Sequence, residues 1–351
     1  VRLRSPARIP ESCAGTLTCS ADLRQIAPIT GRNDTMHKAL KSLVITSVLA
    51  IFAGPVAAQQ QLNLVVGFAA GGSADSVARI VGNKLGERLG QKVVIENRPG
   101  AGANVAAKAV IAAAPDGNTL LVTTAALPIN NTLYKNKGFD IADLRPVAIA
   151  GTTPETFAVN KANPSKTLKA FVAAAKGGKI TFGTAGVGTG SHVFAAYFFK
   201  NVAQVEASHV AFRGGPDATN NLLGGHVNMV AASLSGFAAQ INSGAINGIA
   251  IATEKRFAAV PDVPTFAEAG YPGLTSVSWA GFFTHSKTPA AVVARQNTAI
   301  LEIIKDKEVN ERLVKVGFTP MIAGVPETEA FFKRELTDWG KMVRTLGLSV
   351  D

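Results

Sequence analysis

From Leu62 onward the sequence repeats one pattern: a short apolar run, a break rich in glycine and hydroxyl side chains, then an amphipathic helix. LNLVV leads into GFAAGGSAD, after which Val77, Ile80, Val81, Leu85 and Leu89 recur at helical spacing until Gly90. KVVIEN is a second strand, ANVAAKAVIAAA a second helix and TLLVTT a third strand. Short apolar strands alternating with helices imply a parallel sheet covered on both faces. The pattern restarts downstream, where TLKAFVAAAKG, KITFG, SHVFAAYFFKNV, EASHVAF, DATNNLLGG, VNMVAAS, GFAAQINSG and NGIAIAT alternate helix and strand. The C-terminal part is mostly helical, with too few strands for a third sheet. An α/β chain of two lobes follows, its last helices packed back on the first lobe. Two crossing segments, near Thr153 to Asn160 and near Ser276 to Phe283, would join the lobes and leave a ligand cleft between them. The expected lobes are residues 59–157 with 282–351, and 158–281. One continuous large sheet is the alternative.

The N-terminal region reads differently. MHKALKSLVITSVLAIFAGPVAAQQ has Lys38 and Lys41 ahead of an apolar core, Leu43 to Ala53, too short to span a bilayer, and then the small-residue pattern Val56-Ala57-Ala58. It is expected to be a signal peptide over 36–58, cleaved after Ala58. Residues 1–35, which show neither helical nor strand periodicity, are expected to be a start-site artefact with Met36 the initiator. Cys13 and Cys19 both precede that cleavage point, so the exported chain would carry no thiol nucleophile, lipid-anchoring cysteine or thiolate metal site. Residues 1–58 hold 7 of the 35 Lys and Arg and 3 of the 24 Asp and Glu, which leaves a formal +7. No Lys/Arg run occurs and few aromatics flank the basic residues, so small anions suit this charge better than nucleic acid does.

Three strand-to-helix breaks carry the chemistry. In VVGFAAGGSADSVARIVG, Gly71 and Gly72 bare the backbone, Ser73 or Asp75 can cap the helix, and the helix start offers free N–H groups of partial positive charge. The glycine spacing is not G-x-G-x-x-G, and no P-loop occurs. FGTAGVGTGSH repeats the character with Gly186, Gly188 and Gly190 beside Thr184, Thr189 and Ser191. Two such loops, one per lobe, would face each other across a cleft. HVAFRGGPDA is a third break, where Arg213 can pair with an acidic ligand or stay solvated. Asp75 can contact a ligand amine or cap its own helix. His192, His209, His226 and His285 stand in no metalloprotease or nucleophile-elbow setting, and the 17-residue spacing of the first three fits successive α/β units. No catalytic residue, metal or cofactor is expected.

At these motifs the chain resembles the Bug or TctC family of periplasmic solute-binding proteins of tripartite tricarboxylate transport systems. The resemblance runs from Leu62 to the C-terminus and is carried by GFAAGGSADSVARIVG, ENRPGAGAN followed by APDG, GTAGVGTGSH, LLGGHVN, VPDVPTFAEAGYPG and TPAAVVARQN. It implies a type II periplasmic-binding-protein fold that closes on a carboxylate in a pincer of two glycine loops, then docks on membrane permease subunits, as a monomer in the periplasm of a Gram-negative cell. By position, the implied site residues are Phe68, Ala69, Gly71, Gly72, Ser73, Ala74 and Asp75 in the first arm, and Thr184, Gly186, Gly188, Thr189, Gly190 and Ser191 in the second. Thr124, Phe212, Arg213 and Trp279 would be cleft walls. Prolines usual in the family are absent at Gly67 and Ala70, which predicts a less rigid first loop; Asn228 replaces a usual Asp, and Phe212-Arg213 a common Tyr-Lys. The alternative role is a sensor that presents the same ligand to a signalling kinase.

Overall fold

The computed structural model describes residues 60–351; the expected leader and everything before it lie outside the described residues. The elements, in chain order, are β1 (Gln61–Val66), α1 (Ser73–Leu89), β2 (Lys92–Asn97), α2 (Asn104–Ile111), β3 (Thr119–Thr124), α3 (Ala126–Leu133), β4 (Leu144–Asn160), α4 (Leu168–Ala175), β5 (Ile180–Thr184), α5 (Gly190–Tyr197), β6 (Ala207–Ala211), α6 (Gly215–Leu223), β7 (Met229–Ser233), α7 (Ala238–Asn242), β8 (Ile246–Ile251), β9 (Val277–His285), α8 (Ala290–Lys305), α9 (Lys307–Lys315), β10 (Thr319–Pro320) and α10 (Val325–Leu346).

The apolar spacing of α1 does what it predicts: Val77, Ile80, Val81 and Leu85 are buried, and Gly90, in left-handed geometry, ends the helix by donating its N–H back to Glu87. A Cβ on Gly82 would stand 2.6 Å from Leu64 Cδ1, so the missing side chain lets α1 lie close on the sheet.

Strands β2, β1 and β3 run parallel, and so do β6, β5 and β7. Between them lie β9 and β4, antiparallel to their neighbours, giving the order β2-β1-β3-β9-β4-β7-β5-β6 with β8 and β10 also on β4. The sheets are therefore mixed, because the strands that join the lobes enter against the parallel direction. Residues Leu144–Pro154 of β4 pair with β9, whereas from Glu155 onward it pairs with β7 and β8. One 17-residue strand thus belongs to both sheets and changes partner between Pro154 and Glu155. The return passage meets it there: Glu155 N–H donates to Ser276 O at 3.0 Å, and Ala252 N–H donates to Glu155 O at 2.9 Å. The divisions expected at 157/158 and 281/282 fall inside β4 and β9. The ten strands are joined by hydrogen bonds, eight along one path and two as branches on β4, and each lobe has its own main cluster of apolar side chains.

In the first lobe, Leu64, Val81, Ile300 and Leu313 pack between the sheet and α1, α8 and α9, while Trp279, Phe283 and Phe332 pack on the opposite face under α10. The second lobe centres on Phe157, whose ring meets Phe194, Phe198, Phe199 and Phe266 at centroid distances of 5.0–6.0 Å. Phe157 is fully buried at the middle of this cluster. Phe157→Ala should lower the unfolding free energy by about 3–5 kcal/mol, measured by urea denaturation, because the ring's cavity has no mobile neighbour to fill it.

Candidate functional site

The first arm runs from the end of β1 to the start of α1. Gly72 is the N-cap residue of α1 and supplies no side-chain cap. Neither Ser73 nor Asp75 caps the helix in the expected way. Ser73 Oγ instead shares a 2.6 Å hydrogen bond with Ser235 Oγ, which lies just beyond β7 in the other lobe. Asp75, buried one turn inside the helix, reaches back to accept from Gly71 N–H at 2.8 Å, and also accepts from Arg79 Nε at 2.8 Å and Asn97 Nδ2 at 2.9 Å. Burial pushes the Asp75 carboxyl up, but these donors outweigh it and hold it below its usual range. Asn97 also donates to Phe68 O, so one carboxylate and one amide brace the whole loop. Gly67 tightens it further, since its bare Cα lies against Ala103 where a Cβ would collide. The looseness expected from the missing prolines is met by these contacts.

The second arm follows β5. Thr189 caps α5, its Oγ1 accepting from His192 N–H, and Gly186 and Gly188 take positive φ. Behind the arm the rings of His192 and His209 stack at a centroid distance of 4.0 Å. Gly188 N–H donates to His192 Nδ1 at 3.3 Å, which fixes that nitrogen as unprotonated, and His209 Nε2 bonds Thr184 Oγ1 at 2.7 Å. Burial depresses His192 to about 4, and burial together with the neighbouring His192 depresses His209 to about 3. The 17-residue spacing therefore stacks two neutral rings as a support for the arm.

The two arms meet on one narrow pocket of about 30 Å³, and a third joins them: Gly214 and Gly215, the cap and first residue of α6. The N-termini of α1, α5 and α6 all open on this space. The N–H groups of each first turn have no partner within their helix, and each terminus carries roughly half a positive charge. Ser73, Thr124, Thr189, Ser191, Ser233 and Ser278 add hydroxyls, Phe68 supplies an apolar wall, and no charged side chain lines the pocket. Such a lining can hold a small anion by neutral donors alone.

Of the residues expected at the site, Phe68, Gly72, Ser73, Ala74, Thr124, Thr189, Gly190 and Ser191 line this pocket. Gly186, Phe212 and Arg213 line a more open recess of about 540 Å³ that shares Phe68 and Ala185 with it. Ala69 and Gly71 face Gly214 and Pro216 across the lobes, and Gly188 packs on Asn130. Thr184 and Asp75 are bound up in the internal bonds given above. Trp279 is not a cleft wall. Alternation along β9 sends Ser278 into the pocket and buries Trp279 in the core, its indole N–H donating to Glu335 Oε2 at 2.7 Å. Asn228 accepts from Thr181 N–H and Thr181 Oγ1, pinning β5 beside β7 away from the site. Gly214, Gly215, Ser233 and Ser278 were not picked out from the sequence; the Gly-Gly pair opening a third helix was a signal for the first two. Among the described residues no cluster of His, Cys, Asp or Glu is placed to hold a metal, and no helix is long and apolar enough to cross a membrane.

The His192–His209 pair carries a pH dependence. Both rings stay neutral in the fold below their ordinary value of 6.5, so the unfolded chain takes up protons that the folded one refuses. Stability should fall as pH drops from 6.5 toward 4, and the fall in melting temperature over that window should be shallower in His209→Gln.

Residues 77–348 match the family model described as the tripartite tricarboxylate transporter family receptor. Among solved structures, the periplasmic binding protein BugD is similar with a TM-score of 0.78 at 28% identity, covering 83% of this chain and 98% of its own. The R. palustris protein Rpa4515 with adipate gives a TM-score of 0.80 at 27% identity over 84% of this chain and 99% of that one. MatC from Rhodopseudomonas palustris with bound malate gives 0.76 at 28% identity over 83% and 100%.

Proposed function

Because the chain belongs to the tripartite tricarboxylate transporter receptor family, whose relatives are periplasmic solute-binding proteins, we propose that it is an extracytoplasmic receptor that traps a small carboxylate between its lobes and delivers it to the membrane subunits of a tripartite transporter. The observation that carries this reading is the convergence of three helix N-termini on a pocket without a charged side chain. A carboxylate oxygen fits there as an acceptor for several N–H and O–H groups at once, each charge-assisted bond contributing about 1.5–3 kcal/mol. The structural neighbours that hold malate and adipate favour a di- or tricarboxylate, and acidic amino acids and aromatic acids belong to the same chemical class.

Closure follows from where the halves of the site sit. The first arm and Thr124 belong to one lobe, the second arm and the start of α6 to the other, so an open form offers the ligand only half its donors. The ligand therefore binds the closed form better, and that difference drives closure. The closing units we take to be divided where β4 changes sheet and where the chain returns to β9. Ser73–Ser235 and the packing of Gly188 on Asn130 join the two halves, and an opening of the cleft would break them. Both halves come from one chain, so a monomer suffices, and binding needs no covalent step.

A thermal-shift panel of mono-, di- and tricarboxylates, acidic amino acids and aromatic acids tests the reading. A carboxylate at 100 times its Kd should stabilise the protein by about 2.7 kcal/mol. Gly215→Ala should weaken that shift while leaving the unliganded melting temperature nearly unchanged, since the nearest atom to a Cβ there is 3.5 Å away, on Gly236 across the pocket. Stabilisation by a nucleotide or a sugar with none by any carboxylate would sink the reading.

A further inference from the structure

Behind the pocket floor, at the residue where β4 changes sheets, sits a carboxyl group that the binding scheme has not used. Glu155 is completely buried. Ser233 Oγ donates to its Oε1 at 3.4 Å, and a Cβ on Gly190 would stand 2.6 Å from the same oxygen, which brings the start of α5 and the neighbouring Ser191 up against the carboxyl. Its Oε2 has no hydrogen-bond partner among the described residues. Ser191 and Ser233 line the pocket on their other side. We propose that Glu155 sets the hydrogen-bond polarity of the pocket floor: the site takes a carboxylate with Glu155 protonated, so that ligand binding is coupled to the uptake of one proton. This deepens the receptor reading and rests on it.

The argument is one of counting hydrogens. A serine hydroxyl has one hydrogen to give. When Glu155 is ionised, Ser191 and Ser233 turn their hydrogens to it and present lone pairs to the pocket. An incoming carboxylate then meets acceptors, with a like charge one hydroxyl away in a water-poor interior. When Glu155 is protonated, its own O–H donates to a serine oxygen, and both serine hydrogens are free to point at the ligand.

The surroundings offer the ionised form no cation. On α5 the titratable neighbour is His192, neutral and turned to Gly188 N–H. On α10, where Trp339 packs beside Gly190, it is Glu335, which accepts from the Trp279 and Trp339 indoles. β7 brings Ser233, and the return passage brings the Ser276 carbonyl to the backbone. Burial lifts the Glu155 carboxyl and the two serines pull it only partly back, so that it stands at about 7. A bound carboxylate raises it further, and by linkage the bound form holds a proton that the free form has begun to lose.

The sign follows: affinity is full below pH 7 and declines above it. Malate, adipate or whichever panel carboxylate stabilises the protein most should bind about tenfold more weakly at pH 8 than at pH 6. Glu155→Gln, whose amide donates at any pH, should bind with one affinity across that range. A wild-type affinity that is flat with pH, or a tenfold decline retained in Glu155→Gln, overturns this inference and leaves the receptor reading standing. Absence of carboxylate binding at pH 6 overturns both. Should the variant fail to fold, calorimetry of wild type in two buffers of different ionisation enthalpy decides the matter: uptake near one proton per ligand at pH 8 and near zero at pH 6 supports the coupling, and no uptake at pH 8 refutes it.

Discussion

The partner change of β4 between Pro154 and Glu155 is the constraint on which the rest of this molecule depends. A strand that gives its first part to one sheet and its second part to another holds two lobes in register. Each lobe can then be close-packed, one around Phe157 and the other around Leu64, while a third cluster around Trp279 reaches from α10 across to Val193 of α5. The pocket lies beside this junction because the helices that follow β1, β5 and β6 all start at the strand ends that face the cleft, where ligands of parallel sheets are held.

Much of this was legible in the sequence, for a physical reason. A glycine-rich break between an apolar run and a helix is set by local chemistry, so the bare turns at Gly72-Ser73 and Gly190-Ser191 could be located from spacing, while the family resemblance supplied their expected role. What spacing cannot supply is direction. Ser278 and Trp279 are neighbours in one strand, and only the packing of α10 on the sheet decides that the serine faces the pocket and the indole the core. Asp75 was ambiguous for a related reason: Arg79 lies one helical turn on, but Asn97 comes within reach only when β2 lies beside β1.

Two features escaped sequence reading altogether. The stacked rings of His192 and His209 look like a regular spacing until β5 and β6 pair and bring the start of α5 over β6. Glu155 looks like an ordinary polar residue in a crossing segment, since nothing in TPETFAVN marks a carboxyl that will be sealed from water. In both cases the chemistry comes from burial, which is a property of the assembled chain. The interior here disfavours charge on His192 and on Glu155 alike, and the lining of the pocket itself is neutral.

That neutrality reaches beyond the pocket. Screening by dissolved ions weakens attraction between exposed charges over a Debye length of about 8 Å at physiological ionic strength, but acts far less on buried dipoles. A receptor that grips an anion with helix ends and hydroxyls, and leaves Arg213 outside in the open recess, separates two tasks that a lysine in the pocket would combine. On the receptor reading proposed above, the rim guanidinium would govern how quickly an acid is drawn in and would share the ionic fluctuations of the surrounding fluid. The inner donors would govern how long it stays, with much the same grip in dilute and in saline surroundings.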